Sequence, residues 1–476
     1  MNKEAIEYIQ NQLNRSEDRL RPYVFATPTF TYPERHVVIR IKKYVKDFLA
    51  GQKDFRWVVV PGLRGVGKTT AMAQVFLSMK RSTHLKNSFL YMSVDDLVTR
   101  GLSLNDAIDA YEFILGKPFE KLDFPVLFFI DEVQQDKNWA AILKSLHDRA
   151  KNSVFIFCTG SSALSLQSNP DVARRAQFEK LYPLSFGEYE MIKRNIFPQS
   201  GLKEKIKDAL YGAKDAEDAY NRLKLLESNV NSQWSRFDRV DIDEYLLNGT
   251  LPFTLKTITP NAYDNINILL DRIIDKDIKE LGQFDTPTLS AIKRLLFILA
   301  DSDVMSINKV SGLVQLSYNT VMAVLDALEK AELVIRVPAQ GSNASQARKP
   351  AKYLFMSPAL RSALLSVSGI EGTYLTRKGK YLEDIAALHF YREFVAPHIG
   401  SLTHDPSQGS ADFIIQIADK KQIAFEMGLG RKNFEQVKIT MKNFKMNFGV
   451  VVCPTDLILS KEDNILKMPL GYFLLM

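Results

Sequence analysis

A glycine-rich stretch between an apolar run and a helical pattern is the strongest chemical signal in the sequence. It reads GLRGVGKT and matches G-x-x-x-x-G-K-[ST] at every fixed position. Glycines let several backbone N–H groups converge on one anion, and the helix that follows directs its positive end at the same place. This spacing predicts a phosphate-binding loop for a nucleotide. The residues expected to contact that nucleotide are Gly62, Leu63, Arg64, Gly65, Val66, Gly67, Lys68, Thr69 and Thr70.

A pair of acids after a second apolar run supplies the metal and water chemistry. The run covers residues 125–130 and ends in Asp131 and Glu132. We expect Lys68 to reach the β- and γ-phosphates, and Thr69 and Asp131 to hold Mg²⁺. Glu132 would then polarise a water molecule as a general base. Two solvated carboxylates at a strand end are the alternative, and the phosphate loop upstream weighs against it.

A third apolar run, SVFIFCTGSS at residues 153–162, predicts another strand of the same sheet. If this strand lies between the first two, a polar residue at its tip comes close to the γ-phosphate. Thr159 and Ser161 are the candidates for this role. Ordinary turn chemistry at a strand end remains the alternative for both residues.

These elements predict an α/β fold with a parallel sheet, because strands alternate with helical crossovers. Residues 87–97 are interpreted as a further strand of it. No G-x-G-x-x-G fingerprint opens the sheet, which favours a nucleoside triphosphate over NAD. The expected cofactors are therefore ATP and Mg²⁺.

The motifs stand in an order that resembles a known family. The phosphate loop, FFIDEVQ, CTGSSA, LYPLSFGEYE and EYLLNGTLPF follow one another as in prokaryotic AAA+-like ATPases with a C-terminal restriction-endonuclease-like domain. The resemblance covers the chain from about Tyr32 to its end. It implies that Arg174 or Arg175 acts near the γ-phosphate as an arginine finger; a solvated basic pair is the alternative. Residues 249–252, Gly-Thr-Leu-Pro, depart from the family's Gly-Gly-x-Pro turn.

Residues 286–357 predict a winged-helix module with three helices and an extended pair around a polar loop. Ser317 is the expected N-cap of the third helix. That helix exposes no Lys or Arg near its start, so base reading is weakly supported and an internal packing role stays open. Phosphate contacts from the wing are expected at Arg348, Lys349 and Lys352.

The last predicted module covers residues 370–476 and resembles the PD-(D/E)xK nucleases. Glu383 falls on a helix, Asp412 at the start of a strand and Glu426 near the end of the next strand. Such carboxylates can share a divalent metal. Gly428 stands where the pattern requires Lys, and the nearest basic residues, Arg431 and Lys432, lie beyond the expected strand end. A metal-dependent nuclease and a degenerate domain kept as a DNA-binding platform both stay open; we expect the degenerate domain.

Length, charge and cysteine content indicate the general class of protein and its compartment. The chain has 476 residues, a formal net charge of +7 and two cysteines, Cys158 and Cys453. Both cysteines lie in apolar runs, which predicts buried thiols, excludes a disulfide framework and fits a reducing, cytoplasmic compartment. No signal peptide or membrane span is recognised. The predicted domains are an N-terminal helical segment 1–45, a P-loop ATPase core 46–190, a helical lid or insertion 191–285, the winged helix 286–357 and the nuclease-like domain 370–476.

The sequence thus predicts a Mg²⁺-dependent ATP-binding protein that hydrolyses ATP and couples its nucleotide state to DNA. A non-hydrolysing switch that controls protein assembly is the second hypothesis, and an ATP-gated nuclease is the third. A protein partner or a homo-oligomer is left open, and no membrane partner is expected.

Overall fold

The chain forms two compact units, Met1–Tyr182 and Pro183–Met476. The computed structural model describes residues 2–52, 54–83, 88–161, 170–302, 306–342, 346, 349–366, 373–417, 421–428 and 434–476, of which 280 and 373–376 are described by their backbone alone. The division places residues 183–190, the end of the predicted ATPase core, in the second unit.

The first unit is built on a five-stranded parallel sheet in the order β4-β5-β6-β3-β7. Its strands are β3 Trp57–Pro61, β4 Phe89–Ser93, β5 Val126–Asp131, β6 Val154–Gly160 and β7 Gln177–Phe178, and a small hairpin joins β1 Phe25–Thr27 to β2 Phe30–Thr31. The helices are α1 Lys3–Val24, α2 His36–Leu49, α3 Lys68–Ser82, α4 Val94–Thr99, α5 Leu104–Leu115, α6 Trp139–Arg149 and α7 Pro170–Ala173, with 3-10 turns at Phe119–Lys121 and Val133–Gln135.

The central strands are continuous apolar runs because both faces of the sheet are covered. Every residue of β3, β5 and β6 is buried, which is typical of parallel sheets flanked by helices. β6 lies between β5 and β3, so the predicted insertion of this strand is confirmed. Parallel strands also bring the carboxyl ends of β3, β5 and β6 to one edge of the sheet.

One predicted strand is wrong in length. Residues 87–97 were expected to be a single strand, but β4 ends at Ser93 and α4 begins at Val94. Asp95 and Asp96 lie in the first turn of α4, where carboxylates interact favourably with the helix dipole. A polar pair after an apolar run therefore marks a helix start here.

The second unit holds most of the helices. They are α8 Phe186–Arg194, α9 Leu202–Tyr211, α10 Ala216–Leu225, α11 Glu227–Trp234, α12 Val240–Glu244, α13 Thr259–Arg272, α14 Lys279–Gly282, α15 Thr286–Asp301, α16 Ile307–Val314, α17 Tyr318–Lys330, α18 Pro358–Ser366, α19 Thr373–Phe390, α20 Glu435–Phe444 and α21 Leu470–Leu474. A 3-10 turn covers Pro252–Thr254, and π-helical turns cover Tyr245–Gly249, Ile273–Ile278 and Tyr391–Val395.

α8 begins within the segment LYPLSFGEYE, residues 181–190. Ser185 and Glu188 form a capping box, in which each side chain accepts a hydrogen bond from the other's backbone N–H. Phe186 then stacks on Trp234, with ring centroids 5.3 Å apart. Gly249 lies against Tyr189, whose ring atom would come within 2.5 Å of an added Cβ. The segments LYPLSFGEYE and EYLLNGTLPF thus both have a structural role in the second unit.

The segment predicted as winged helix contains α15, α16 and α17, followed by β8 Val334–Val337 and β9 Lys352–Phe355. The two strands pair antiparallel. Ser317 caps α17 by accepting a hydrogen bond from the N–H of Thr320, as predicted. The elements expected of the module are present, and its assignment as a winged helix stays a prediction.

The C-terminal segment forms a six-stranded mixed sheet in the order β10-β11-β12-β13-β15-β14. The strands are β10 Gly400–Thr403, β11 Phe413–Ile417, β12 Gln422–Met427, β13 Phe448–Cys453, β14 Ile458–Ser460 and β15 Ile465–Pro469. The sequence predicted a helix, two strands, a helix and a strand, and these correspond to α19, β11, β12, α20 and β13. The sequence analysis did not predict β10 and β14, which are the two edge strands, or β15, which lies between β13 and β14.

Residues 201–241 were interpreted as a lid or insertion with a solvated face. The structure shows that α10 contacts β14 and β15 of the C-terminal sheet and that α11 contacts α21, all within the same unit. The N–H of Ala216 donates to Asn464, 3.0 Å away, and Trp234 donates to the carbonyl of Gly471, 3.1 Å away. Alternating charges describe the outer surface of these helices and carry no information about this packing.

A fully buried ion pair connects the predicted winged helix to the C-terminal module. Arg361 donates to both carboxylate oxygens of Asp384, at 2.7 and 2.8 Å, and also to the carbonyl of Ala300. Asp384 accepts a further bond from the N–H of Phe355 in β9. The pair therefore fixes β9 against α19, although the two were predicted to belong to separate domains.

Candidate nucleotide site

The phosphate loop lies between β3 and α3, and its shape requires glycine. Gly65 and Gly67 have φ angles of 84° and 95°, a left-handed region that suits glycine. A Cβ on Gly62 would come within 2.3 Å of the carbonyl oxygen of Leu181. The glycines at these three positions therefore follow from backbone geometry.

Lys68 begins α3 and is 5% exposed. Its ammonium donates to the carbonyls of Gly62 and Leu63, at 2.9 and 3.2 Å, so it lies inside the curve of the loop. Arg35 supports the loop from the chain upstream, because its guanidinium donates to the carbonyls of Val66 at 3.1 Å and Tyr182 at 2.9 Å. Arg35 was not predicted from the sequence, because no local pattern distinguishes it from other arginines.

The acid at the end of β5 is bound by two hydroxyls. Thr69 donates to Oδ2 of Asp131, with a distance of 2.7 Å between the oxygens. Thr159, at the end of β6, donates to Oδ1. The carboxylate of Asp131 is therefore fixed from both sides at the edge of the sheet where the phosphate loop begins.

The electrostatics of Asp131 are unusual because it is almost completely buried. Burial raises the pKa of its carboxyl above the ordinary value, and the neighbouring charge of Glu132 adds to this effect. The hydroxyls of Thr159 and Thr69 and the ammonium of Lys68 oppose it. A buried carboxylate with a raised pKa gains from a nearby cation.

The second acid, Glu132, sits in a turn with φ of 56° and is half-buried. Oε2 accepts a hydrogen bond of 2.5 Å from the amide of Gln134, and the guanidinium of Arg64 is 3.8 Å from the same oxygen. The amide of Gln134 also donates to Oγ of Ser161, 2.9 Å away. The sequence analysis named Thr159 and Ser161 as alternatives; the structure places Thr159 on Asp131, and Ser161 next to the residue that binds Glu132.

These residues fit Mg²⁺ and a polyphosphate by their chemistry. A hydroxyl and a carboxylate 2.7 Å apart are hard oxygen donors of the kind that Mg²⁺ prefers. The loop contributes backbone N–H groups and an ammonium, which suit phosphate oxygens.

Arg175 lies away from this site. It forms a bidentate pair with Asp148, at 2.9 and 3.0 Å. The residue before Asp148, His147, accepts a hydrogen bond from Arg56, which immediately precedes β3. The phosphate loop follows the other end of β3, so Arg175 lies at the opposite edge of the sheet. Arg174 is exposed, and an arginine-finger role for either residue stays a prediction.

The C-terminal carboxylates lie near one another in the second unit. Oε2 of Glu426 accepts a hydrogen bond from the N–H of Asp412 at 3.2 Å, and Oδ2 of Asp412 accepts one from the N–H of Met427. The ammonium of Lys352 lies 3.6 Å from a carboxylate oxygen of Glu383 and 3.6 Å from one of Asp412. Lys352 was predicted to contact DNA phosphates from the wing, but its side chain is directed at these acids.

Within the described part of the chain, no group of three or more His, Cys, Asp or Glu side chains could hold a metal ion. The predicted metal site of Glu383, Asp412 and Glu426 is therefore not such a group. Arg348, Arg431 and Lys432, to which the sequence analysis gave roles, lie outside the described residues. Cys158 and Cys453 are buried free thiols, as predicted.

The class of the first unit is established by its fold and by a family model. Residues 54–190 match the AAA domain, and the parallel sheet with its loop between β3 and α3 agrees with a P-loop α/β fold. Residues 239–371 match a domain of unknown function, DUF8612. Among the helices that the structure describes, none combines the length and apolar character that crossing a membrane demands.

The whole chain also has relatives. It is 31% identical over 472 residues to the uncharacterized protein MJ1637 of Methanocaldococcus jannaschii, covering 99% of this chain and 94% of that protein. It is 24% identical over 381 residues to an uncharacterized protein of Haemophilus influenzae, covering 78% and 82% of the two chains. The chain belongs to the family of MJ1637.

Solved structures with partial similarity include the Aeropyrum pernix ORC1 protein in complex with DNA, at 12% identity and a TM-score of 0.33, covering 74% of this chain and 95% of that one. AMPPCP-bound DnaA from Aquifex aeolicus is 14% identical with a TM-score of 0.26, covering 64% of this chain and 93% of that one. At these values nothing about function follows from the likeness.

Proposed function

We propose that this protein is a Mg²⁺-dependent ATPase whose nucleotide state controls its binding to DNA. The observation that carries the proposal is the convergence of Lys68, Thr69, Asp131 and Glu132 at one edge of the sheet in an AAA domain.

The residues divide the chemistry among them. The loop amides and Lys68 bind and orient the phosphates, and Thr69 and Asp131 hold Mg²⁺. Mg²⁺ held by these two residues would offset negative charge on the phosphate oxygens. Glu132 accepts the proton of the attacking water. Thr159 holds the Asp131 carboxylate in place and so keeps the metal-binding oxygens oriented.

Phosphate release tests the enzymatic part of the proposal. Glu132→Gln keeps the shape of the side chain but removes the base, so release is expected to fall by about 10²-fold or more while ATP still binds. Lys68→Ala is expected to lose ATP binding, measured by calorimetry. Binding of ATP without any phosphate release from the parent protein would instead support the non-hydrolysing switch.

DNA is the proposed partner because the chain has a net charge of +7 and because α15–α17 with the β8–β9 pair have the order of a winged helix. We further propose that the C-terminal module is a binding platform that does not cut DNA. Two features support this: Gly428 stands in place of the motif lysine, and the ammonium of Lys352 lies 3.6 Å from Glu383 and 3.6 Å from Asp412, where its single positive charge offsets part of their negative charge.

A further inference from the structure

We infer that Gln134 is a positioning residue that aims the Glu132 carboxylate at the attacking water and ties it to the end of β6. The inference rests on the proposed ATPase function. It concerns a side chain two residues beyond the acid pair, to which neither the phosphate-loop pattern nor the acid pair assigns a role.

Glu132 needs an external constraint on its direction. It follows the last residue of β5, has a left-handed backbone conformation and begins the 3-10 turn Val133–Gln135, but its side chain accepts no capping hydrogen bond from the backbone N–H groups of that turn. Its long side chain has several rotamers, and Arg64 attracts it from 3.8 Å. The 2.5 Å bond from the Gln134 amide to Oε2 selects one orientation.

Ser161 in turn fixes the Gln134 amide. Its hydroxyl is 2.9 Å from Nε2 of Gln134, and Ser161 is 2% exposed. The end of β6 therefore provides two polar side chains that contact the acid pair. Thr159 binds the carboxylate of Asp131 and accepts a hydrogen bond from the backbone N–H of Glu132 at 3.2 Å, whereas Ser161 contacts the carboxylate of Glu132 only through Gln134. A displacement of the end of β6 would therefore move the hydrogen-bond partners of both Asp131 and Glu132.

The side-chain amide of Gln134 also has an unused hydrogen-bond acceptor. Its Oε1 is buried, and no described residue donates a hydrogen bond to it. A buried carbonyl without a partner costs free energy. A water molecule that donates one hydrogen to Glu132 and the other to Gln134 would satisfy this oxygen and would be held in a defined orientation for attack.

The first test compares Gln134→Ala with Gln135→Ala. The two glutamines are neighbours in the same turn, and no hydrogen bond between described residues involves the Gln135 side chain, so the second variant controls for local disturbance. For Gln134→Ala we expect kcat for phosphate release to fall about tenfold to hundredfold, with KM for ATP changed by less than about threefold. Gln135→Ala is expected to behave like the parent.

The second test measures ligand affinity instead of turnover. The affinity for ADP with aluminium fluoride, a mimic of the transferring phosphoryl group, is expected to fall about tenfold or more in Gln134→Ala, while the affinity for ATP stays unchanged. Gln134→Ala combined with Ser161→Ala is expected to be no slower than Gln134→Ala alone, because the two residues act through one contact.

The turnover of these variants decides the inference. Equal kcat in Gln134→Ala and the parent overturns it, and so does a rise in kcat, which would mean that Gln134 restrains the base. Additive effects of the two substitutions overturn the link to Ser161. If Glu132→Gln loses turnover but Gln134→Ala keeps normal turnover, the role of Gln134 is refuted and the proposed ATPase function stands. Equal turnover in Glu132→Gln and the parent removes the proposed function.

Discussion

At the scale of single residues, the backbone around the phosphate loop leaves little room for a side chain at the glycine positions. A Cβ added to Gly62 would lie only 2.3 Å from the carbonyl oxygen of Leu181. Arg35 contributes a buried guanidinium that binds the carbonyl of Val66 within the loop and the carbonyl of Tyr182 beyond β7. The loop is thus held by residues far from it in sequence.

Gly62→Ala is expected to lower the affinity for ATP at least tenfold, because the loop must move away from Leu181 to admit the methyl group. The free energy of unfolding should fall by about 1–3 kcal/mol, the usual cost of overpacking. Calorimetric ATP titration and urea unfolding measure the two effects.

Gly312→Ala is the control for this substitution. Gly312 lies inside α16, and no atom comes within 4 Å of an added Cβ. Alanine there should leave ATP binding intact and stabilise the protein by about 0.5–1 kcal/mol. If Gly62→Ala bound ATP like the parent, the contact with Leu181 would not constrain the loop.

At the scale of elements, α8 and α12 meet through buried carboxyls. Asp241 is fully buried and accepts hydrogen bonds from Arg194 at 2.7 Å and Lys193 at 3.2 Å. Glu190 is also fully buried, and neither of its oxygens has a hydrogen-bond partner among the described residues. Burial, and next the charge of Asp241, raise the pKa of Glu190 to about 7.

This shift predicts how stability depends on pH. The folded pKa of about 7 exceeds the ordinary value of 4.5, so the folded state binds the proton more tightly than the unfolded chain. The contribution to stability is complete below pH 4.5 and is lost as the pH rises through 7. Glu190→Gln mimics the protonated carboxyl and should remove this loss.

Thermal unfolding between pH 5 and 8.5 tests the pH prediction. The Tm of Glu190→Gln relative to the parent is expected to rise with pH and to be highest above pH 7. Glu204→Gln, on an exposed position of α9, serves as a control and should follow the parent at every pH. A constant difference between Glu190→Gln and the parent would contradict the shifted pKa.

At the scale of the whole molecule, the chain combines an AAA unit with a second unit of helices and a mixed sheet. The excess of seven positive charges is modest, so DNA binding must depend on where those charges lie. Lys349 is exposed in the loop between β8 and β9, which is a suitable place for a phosphate contact.

DNA affinity is expected to depend on both nucleotide and salt. We predict a linear fall of log K with log salt, and a smaller slope, by about 1, for Lys349→Ala. Lys46→Ala, an exposed position in α2, should keep the parent slope. The bound DNA should be recovered uncut with Mg²⁺ or Mn²⁺. Cleavage by the parent that is lost in Asp412→Ala would refute the platform and support the nuclease.

Local pattern was sufficient for much of the first unit. A loop with fixed glycines and apolar runs of strand length carry their own geometry, so β3, β5, β6 and the start of α3 could be predicted within one or two residues. The carboxyl ends of parallel strands meet at one edge, and this rule alone brought the candidate residues together. It does not say which hydroxyl binds which acid.

The amino-acid sequence by itself determined the phosphate loop, the acid pair and the parallel sheet, because each depends on residues close together in the chain. Tertiary structure alone decided the partners of Arg35 and Lys352, the contact between Gln134 and Ser161, and the packing of α10 and α11 on the C-terminal module. The physical reason is that the partner of a side chain that is distant in sequence depends on how the intervening elements pack. No local period or spacing encodes that packing.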